Sequence, residues 1–131
     1  HGATHAWRLF RAFLANDSSF KKGAVLKILH VNLKFNVTKP QLEAAWLAVA
    51  PQFASLPGLI WKVWLMNEAE HVAGGIYLFD SEASAQAYLG GPIVAGLKAN
   101  PAIGDIDAKL FDVMEAHTLI TRGLIDAMTS Q

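Results

Sequence analysis

The chain has 131 residues, which suits one domain with its own core and is too short for two ordinary domains. Lys and Arg number 11 and Asp and Glu number 11, so the formal charge is zero, which argues against a nucleic-acid-binding protein. The absence of cysteine excludes disulfides, zinc–thiolate sites, iron–sulfur clusters and cysteine nucleophiles. Only 17% of the residues are charged and 53% are apolar, so we expect a buried interface between two copies of the chain.

The N-terminal residues 1–22 are predicted to form a helical extension, and residues 23–131 the single domain. Trp7, Phe10 and Leu14 have helical spacing. Arg8 and Arg11 interrupt this apolar stretch, so it does not resemble a secretory signal. No apolar run reaches the roughly 18 residues of a membrane span. We therefore expect no membrane span and a cytoplasmic location.

The first predicted strand covers residues 24–36, where apolar and polar side chains alternate. One face carries Leu29, Val31, Leu33 and Phe35. His30, Asn32 and Lys34 fall on the other face. A helix is predicted to start after Thr38, because Thr38 and Gln41 match a capping box with Pro40 in the first turn. Pro51 is expected to kink or end that helix.

Two further strands, 59–66 and 71–80, are predicted to form a hairpin through the polar segment 67–70. Lys62 and Trp64 share one face of the first strand, and Tyr77 and Phe79 share one face of the second. If Trp64 pairs with Gly75, Lys62 lies opposite Tyr77, and an indole has room to lie across the glycine.

A second helix is predicted to start at Asp80 or Ser81 and to carry Tyr88. The segment Gly90-Gly91-Pro92 interrupts it, a helical turn or two follows up to residue 99, and Pro101 ends that segment. Residues 105–114 form the last predicted strand, and residues 116–128 form a terminal amphipathic helix.

The predicted order of elements is βαββαβ with an extra helix at each end, which indicates an α+β, ferredoxin-like fold. We expect strands separated by helices to be parallel neighbours and the hairpin to be antiparallel. We also expect one bare sheet face to carry Trp64, Tyr77, Phe79 and Phe111. Two such faces packed together would bury these rings, which predicts a homodimeric α/β barrel with a cavity in each protomer.

The central segment PGLIWKVWLMNEAEHVAGGIYLFDSEASAQAYL, residues 57–89, resembles the YdhR-type monooxygenase family. The segment KLFDV, residues 109–113, resembles the last strand of that family. The resemblance covers roughly residues 25–115. The family belongs to the dimeric α/β-barrel superfamily of small antibiotic-biosynthesis-type monooxygenases.

This resemblance implies an oxidation with O2 of an activated aromatic compound, such as an anthrone-like phenol, without metal or flavin. Other superfamily members degrade haem. Their sites use an Asn on the first strand, a Trp on the third strand and a His or Tyr on a helix. Asn32 or His30 is placed for the first role and Tyr88 for the third, whereas Phe79 stands in place of the Trp. The phenylalanine, and the lack of a His on the second helix, weigh against haem degradation.

The candidate catalytic residues are His30, Asn32 and Lys62. His30 can accept a proton near neutral pH, Lys62 can stabilise a phenolate, and Asn32 can orient a carbonyl or hydroxyl group. The candidate substrate-binding residues are Trp64, Tyr77, Phe79, Tyr88 and Phe111, whose rings can stack on a flat molecule. The hypothesis depends on His30, Asn32, Lys62, Trp64, Tyr77, Phe79 and Phe111 projecting from one sheet face. Each of them has a structural alternative as a packing, hydrogen-bonding or ion-pairing residue.

We therefore predict a cofactor-independent monooxygenase whose partners are a small aromatic or hydrophobic molecule and a second copy of the chain. Molecular oxygen would be the co-substrate. The sequence contains no HExxH motif, no helical His pair, no phosphate-binding glycine loop and no nucleophile elbow, so no metal site is predicted. Two alternatives stay open: an isomerase or decarboxylase on the same scaffold, and a non-catalytic dimer that binds a hydrophobic ligand.

Overall fold

The computed structural model describes residues 25–123, which form four strands and four helices. In chain order these are β1 (Lys27–Phe35), α1 (Lys39–Ala54), β2 (Leu59–Asn67), β3 (Val72–Phe79), α2 (Glu82–Leu89), α3 (Pro92–Ala99), β4 (Ile103–Asp112) and α4 (Glu115–Ile120). The predicted extension at residues 1–22, and the end of the predicted terminal helix, lie outside the described residues. Within residues 25–123, no helix is long and apolar enough to span a bilayer.

The four strands form one sheet in the order β2-β3-β1-β4, and every neighbouring pair is antiparallel. The predicted ferredoxin-like fold is confirmed. The prediction of parallel neighbours is wrong, because the connection through α1 carries the chain past one strand position, which β3 then fills. Strands that run in the same direction are therefore always separated by one that runs against them.

The boundaries of α1 follow from local chemistry. The Thr38 hydroxyl accepts a hydrogen bond from the Gln41 backbone N–H (3.2 Å), and the Gln41 side chain accepts one from the Thr38 N–H (2.9 Å). This is the predicted capping box, which satisfies two amide groups that have no partner inside the helix. Pro51 lies within α1, which continues to Ala54, so the proline does not stop the helix at once.

The predicted interruption after the second helix is confirmed. Ser81 caps α2 by accepting a hydrogen bond from the Ser84 backbone N–H (3.1 Å). Gly90 ends α2, and Pro92 begins α3 in the first turn, where its missing N–H costs nothing. Together with α1, these helices cover one face of the sheet.

The covered face contains the main core. Its strand residues are buried Leu29, Val31, Leu33, Phe35, Ala73, Tyr77, Phe79 and Ile103, and helix residues Leu42, Phe53, Ala85, Tyr88 and Val94 pack against them. The other face is open over much of its area. A smaller cluster around Leu26 and Leu78 lies on this open face, and Leu119 of α4 packs against it, so α4 covers one part of that face.

The pairing registers of the strands show that the prediction of one sheet face with all the candidate site residues of the strands is wrong. Leu29 pairs with Tyr77, and Lys62 pairs with Tyr77 from the other side, which places both on the covered face. His30 instead pairs with Ile76, and Asn32 pairs with Gly74. Because side chains alternate along each strand, His30 and Asn32 project from the open face.

The expected bare aromatic face is likewise wrong. Trp64, Tyr77 and Phe79 pack into the core beneath the helices, and only Phe111 of that set lies on the open face, where it pairs with Ile28. Phe111 is 50% exposed, whereas Phe79 is fully buried. Apolar residues occupy both faces of the hairpin strands, so the alternation within each strand did not reveal which face the helices cover.

Candidate functional site

A cavity of about 440 Å³ lies between the covered face of the sheet and helices α1 and α3. Its wall is mainly apolar and aromatic. The aromatic and aliphatic side chains include Trp46, Val49, Phe53, Trp64, Ile93 and Leu97. Its polar side chains are those of Gln41, Gln52, Lys62, Tyr77 and Asn100. An apolar cavity of this size with a few polar groups is the usual form of a small-molecule site.

Lys62 projects from β2 into this cavity and ends among three rings. Its Nζ lies 3.4 Å from the ring centroid of Trp64, 3.7 Å from that of Phe53 and 4.5 Å from that of Tyr77. We call these three rings the Lys62 cage. None of the ion pairs formed within residues 25–123 involves Lys62. The amine is therefore held by aromatic faces alone rather than by a carboxylate.

Two opposing effects act on the proton of Lys62. Burial penalises the ammonium form and lowers the pKa of Lys62 to about 7. The faces of the cage attract the ammonium form, since their electron-rich surfaces interact favourably with a cation. With a pKa near neutrality, the amine can accept a proton from a ligand and then remain beside it as a cation.

Gly75 makes room for the lysine side chain. The predicted pairs Trp64–Gly75 and Lys62–Tyr77 are both present. A Cβ atom at Gly75 would lie 2.7 Å from Cε of Lys62, which is too close for two carbon atoms. The aliphatic stem of Lys62, rather than the expected indole ring, is thus the nearest group over the glycine.

Tyr77 is fixed by two buried neighbours. Its hydroxyl lies 2.7 Å from the hydroxyl of Tyr88 on α2, and its ring is nearly parallel to that of Phe79, with centroids 5.9 Å apart. Burial raises the pKa of both tyrosines, so both hydroxyl groups stay protonated at physiological pH. When Tyr88 donates within the pair, Tyr77 keeps its own proton for a group in the cavity.

The predicted site residues thus separate into two groups. Lys62, Trp64 and Tyr77 line the cavity, with Phe79 and Tyr88 packed behind Tyr77. The structure does not bring the other three candidates to this cavity. His30, Asn32 and Phe111 project from the open face of the sheet.

Phe53 and Trp46 are the important residues that the sequence interpretation did not assign to the site. Both belong to the apolar stripe of α1, whose spacing predicts packing against the sheet. Phe53 packs edge-on against Trp64 with centroids 4.9 Å apart, and Trp46 lies 5.6 Å from Trp64. Helical periodicity alone does not distinguish a ring that fills the core from one that borders a cavity.

Metal-binding chemistry finds no support in the described part of the chain. No cluster of three or more His, Asp or Glu side chains in residues 25–123 is arranged to hold a metal ion. His71 and His117 are both exposed, at the hairpin turn and on α4. The chemistry available to the cavity is therefore that of an amine, the Tyr77 hydroxyl, amides and aromatic rings.

The ferredoxin-like sheet covered on one face by helices is the fold that this chain shares with antibiotic-biosynthesis-monooxygenase-like proteins of solved structure. A family model described as "Putative mono-oxygenase ydhR" matches residues 28–124. The chain belongs to this family. None of the functionally curated proteins matches it.

Solved structures with the same fold include proteins of different activities. A protein of unknown function from Nitrosomonas europaea is 22% identical, with a TM-score of 0.60 over 70% of this chain and 92% of its own. SnoaB, a cofactor-independent oxygenase from Streptomyces nogalater, is 16% identical, with a TM-score of 0.57 over 69% and 94%. The heme-degrader MhuD from Mycobacterium tuberculosis is 22% identical, with a TM-score of 0.53 over 66% and 95%. At these identities the likeness shows the fold alone.

Proposed function

We propose that the protein is a cofactor-independent monooxygenase that oxidises a small, electron-rich aromatic compound with molecular oxygen. The observation that carries this proposal is the amine of Lys62, which lies among aromatic rings in an apolar cavity and forms no ion pair within residues 25–123. Membership of the monooxygenase family and the fold shared with SnoaB support the same kind of reaction.

The first step would be removal of a proton from the substrate. The neutral amine of Lys62 accepts a proton from an acidic phenol or from the activated carbon of an anthrone, and the resulting ammonium remains beside the substrate anion. Trp46 and the other apolar side chains of the cavity wall contact the flat ring. Tyr77 donates a hydrogen bond to the substrate oxygen. The apolar wall lowers the effective dielectric constant around the substrate, which strengthens these interactions.

The substrate anion would then supply the electrons for oxygen. One electron passes from the anion to O2, and the two radicals combine to form a peroxide on the substrate carbon. The O–O bond breaks, one oxygen atom stays on the substrate as a carbonyl, and the other leaves as water with two substrate hydrogens. For an anthrone the product is a quinone, and all electrons come from the substrate itself.

The cavity does not fit a haem group. Haem iron is bound by His, Cys, Met or Tyr side chains. The only such residue among those lining the cavity is Tyr77, whose hydroxyl is already paired with Tyr88. Helix α2, whose sequence is EASAQAYL, contains no His. The residues of this chain therefore favour oxidation of an organic substrate over haem degradation.

The proposed homodimer would use the open face of the sheet. Val63 and Phe111 are 49% and 50% exposed on this face, and His30, Asn32 and Lys34 lie on it as well. A second copy packed here would bury the apolar side chains, which agrees with the low fraction of charged residues. In this proposal His30 and Asn32 are polar groups of the subunit interface.

Oxygen uptake tests the proposal directly. The purified chain is offered anthrones, hydroquinones and naphthols without flavin, metal or nicotinamide, and uptake is compared with autoxidation. We expect Lys62→Met to reduce the enzymatic rate by about 100-fold, the typical contribution of one positioned acid–base group. Lys34→Met is the matched control, since Lys34 lies on the opposite face and should leave the rate unchanged.

Three outcomes would revise the function. Equal loss in both lysine variants, or loss in His30→Ala alone, would move the site to the open face. Product formation without oxygen would favour an isomerase or decarboxylase that uses the same amine as a base. A ligand-induced rise in Tm without any turnover would favour a non-catalytic protein that binds a hydrophobic ligand.

A further inference from the structure

Lys62 differs from the other described lysines in its surroundings. Lys27 pairs with Asp112 and Glu82, Lys39 pairs with Glu43 (3.0 Å), and Lys109 lies 3.7 Å from Asp107. Lys34 and Lys98 are exposed to solvent. Lys62 alone among the lysines of residues 25–123 ends inside a cavity, with aromatic rings on several sides and a glycine beneath its stem.

Such an amine has the properties of a nucleophile. Its burial lowers the pKa of Lys62 to about 7, so a large fraction of the side chain is neutral at physiological pH and has a free lone pair. A solvated lysine is almost wholly protonated at that pH. Enzymes that form Schiff bases use lysines desolvated in this way.

We propose that Lys62 forms an imine with aromatic aldehydes and aryl ketones that enter the cavity, giving the protein a covalent carbonyl-binding site. The Lys62 cage would hold the aryl group, and the amine would lie beside its carbonyl carbon. This inference goes beyond the proposed oxygenase activity and requires no oxygen.

The bond changes involve only the amine, the carbonyl and one water molecule. The lone pair of Nζ attacks the carbonyl carbon, Nζ loses one proton and the carbonyl oxygen takes up one, which gives a carbinolamine. The C–O bond then breaks and the oxygen leaves as water with a second proton, while Nζ loses its remaining proton and the C=N bond forms. No electrons are gained or lost overall.

Tyr77 is placed to assist the proton transfers. Its hydroxyl belongs to a residue that lines the cavity and pairs with that of Tyr88 at 2.7 Å. With Tyr88 as donor in the pair, Tyr77 can donate to the carbonyl oxygen and to the departing hydroxyl group.

Reductive trapping tests this proposal on the intact chain. The protein is incubated near pH 7 with naphthaldehyde and cyanoborohydride, which reduces an imine to a stable secondary amine. Peptide mapping by mass spectrometry then locates the added naphthylmethyl group. We expect Lys62 to carry at least about tenfold more label than Lys34 or Lys98, in line with its larger neutral fraction. The α-amino group, which also titrates near neutrality, is quantified separately.

Two variants sharpen the result. Lys62→Arg keeps a cation in the cage but has no nucleophilic amine at this pH, so internal labelling should fall to the level of the exposed lysines. Lys34→Arg should leave the labelling of Lys62 unchanged. Labelling spread evenly over the lysines of the wild-type chain, or an unlabelled Lys62, would overturn the proposal.

The pH profile provides a second readout that does not depend on any variant. Labelling of Lys62 should reach half of its maximum near pH 7, whereas labelling of solvated lysines should keep rising to much higher pH. A Lys62 profile that follows the solvated lysines would contradict the proposal. Oxygen uptake is measured without aldehyde, so failure of the carbonyl site and failure of the oxygenase activity are distinguishable.

Discussion

The two faces of the sheet have opposite chemistry although the same strands build both. The covered face holds packed rings, the tyrosine pair and a lysine without an ion pair. The open face holds His30, Asn32 and Lys34 together with exposed Val63 and Phe111. Neighbouring residues of one strand therefore belong to different environments, because side chains alternate with a period of two.

Polar residue type alone therefore does not show which face of this sheet borders the cavity. The side chains that look most reactive, His30 and Asn32, lie on the face that α1, α2 and α3 leave open. The cavity instead relies on a lysine placed where packing alone would require an apolar residue. Burial among aromatic rings lowers the pKa of this amine to about 7, and such a perturbed group is a candidate for a functional site.

The largest contrast in stability should come from one phenylalanine on each face. Phe79→Ala removes a fully buried ring and should lower the free energy of unfolding by about 3–5 kcal/mol. Phe111→Ala removes a half-exposed ring and should cost less than about 1 kcal/mol in the isolated protomer. Urea denaturation of both variants measures the difference, and equal costs would mean that the open face is as well packed as the core.

Phe111→Ala should have a second effect if the open face forms the dimer. Light scattering over a range of concentrations should show a weaker association than in the wild-type chain. A wild-type chain that is monomeric at micromolar concentration would remove the basis for an interface on this face.

The two adjacent glycines of β3 offer a smaller contrast. A Cβ at Gly74 would lie 1.9 Å from the carbonyl oxygen of Val31, and φ at this position is 157°, so Gly74→Ala must displace backbone and should cost about 2–3 kcal/mol. Gly75→Ala first meets the flexible Cε of Lys62. Gly75→Ala should lower the free energy of unfolding by less than Gly74→Ala does, and it should displace the Lys62 amine from the cage.

Thermal unfolding and oxygen uptake together check the glycine prediction. Gly74→Ala should lower Tm more than Gly75→Ala does. Gly75→Ala should reduce the rate of oxygen uptake and have the smaller effect on Tm. The reverse order would indicate that the lysine stem does not rest over Gly75.

The smallest expected effect on stability comes from the buried amine of Lys62. The folded chain holds the pKa of Lys62 at about 7, whereas an unfolded lysine titrates near 10.5, so the unfolded state binds more protons between these values. Stability from this group therefore rises as the pH increases from about 7 to about 10.5. Lys62→Met should remove that slope and add about 1–2 kcal/mol at pH 7.

Urea midpoints at several pH values measure the slope, with Lys34→Met as the matched control on the open face. If Lys62→Met destabilises the protein at pH 7, attraction between the ammonium and the cage outweighs the cost of burial. A slope unchanged by Lys62→Met would assign the pH dependence to another group.

Local signals in the sequence predicted much of this fold. Thr38 and Gln41 form the predicted cap, Gly90 and Pro92 separate two helices as expected, and Trp64 pairs with Gly75. Each of these depends on residues close together in the chain or on a short hairpin. At those positions the local conformational preferences of the residues agree with the overall fold.

The placement of the site depended on longer-range information. The alternation of apolar and polar residues shows which side chains of one strand share a face. It does not show which face of one strand lies on the same side of the sheet as a given face of another strand. The covered face of β1 can be predicted, because only one of its faces is apolar. β2 and β3 have apolar residues on both faces, so their covered face cannot be predicted in this way. Linking Lys62 with His30 was an error of that kind, because the register of β1 against β3 is set only in the assembled sheet.

The contact between Lys62 and Trp64 also gives the cavity a spectroscopic property. The amine lies 3.4 Å from the centroid of the Trp64 ring, close enough for its charge to alter the excited state of the indole. Fluorescence of this tryptophan should therefore change as Lys62 gains or loses its proton, and again when a ligand binds beside the amine. The protein thus contains its own optical reporter, which can follow proton transfer in the cavity without any added dye.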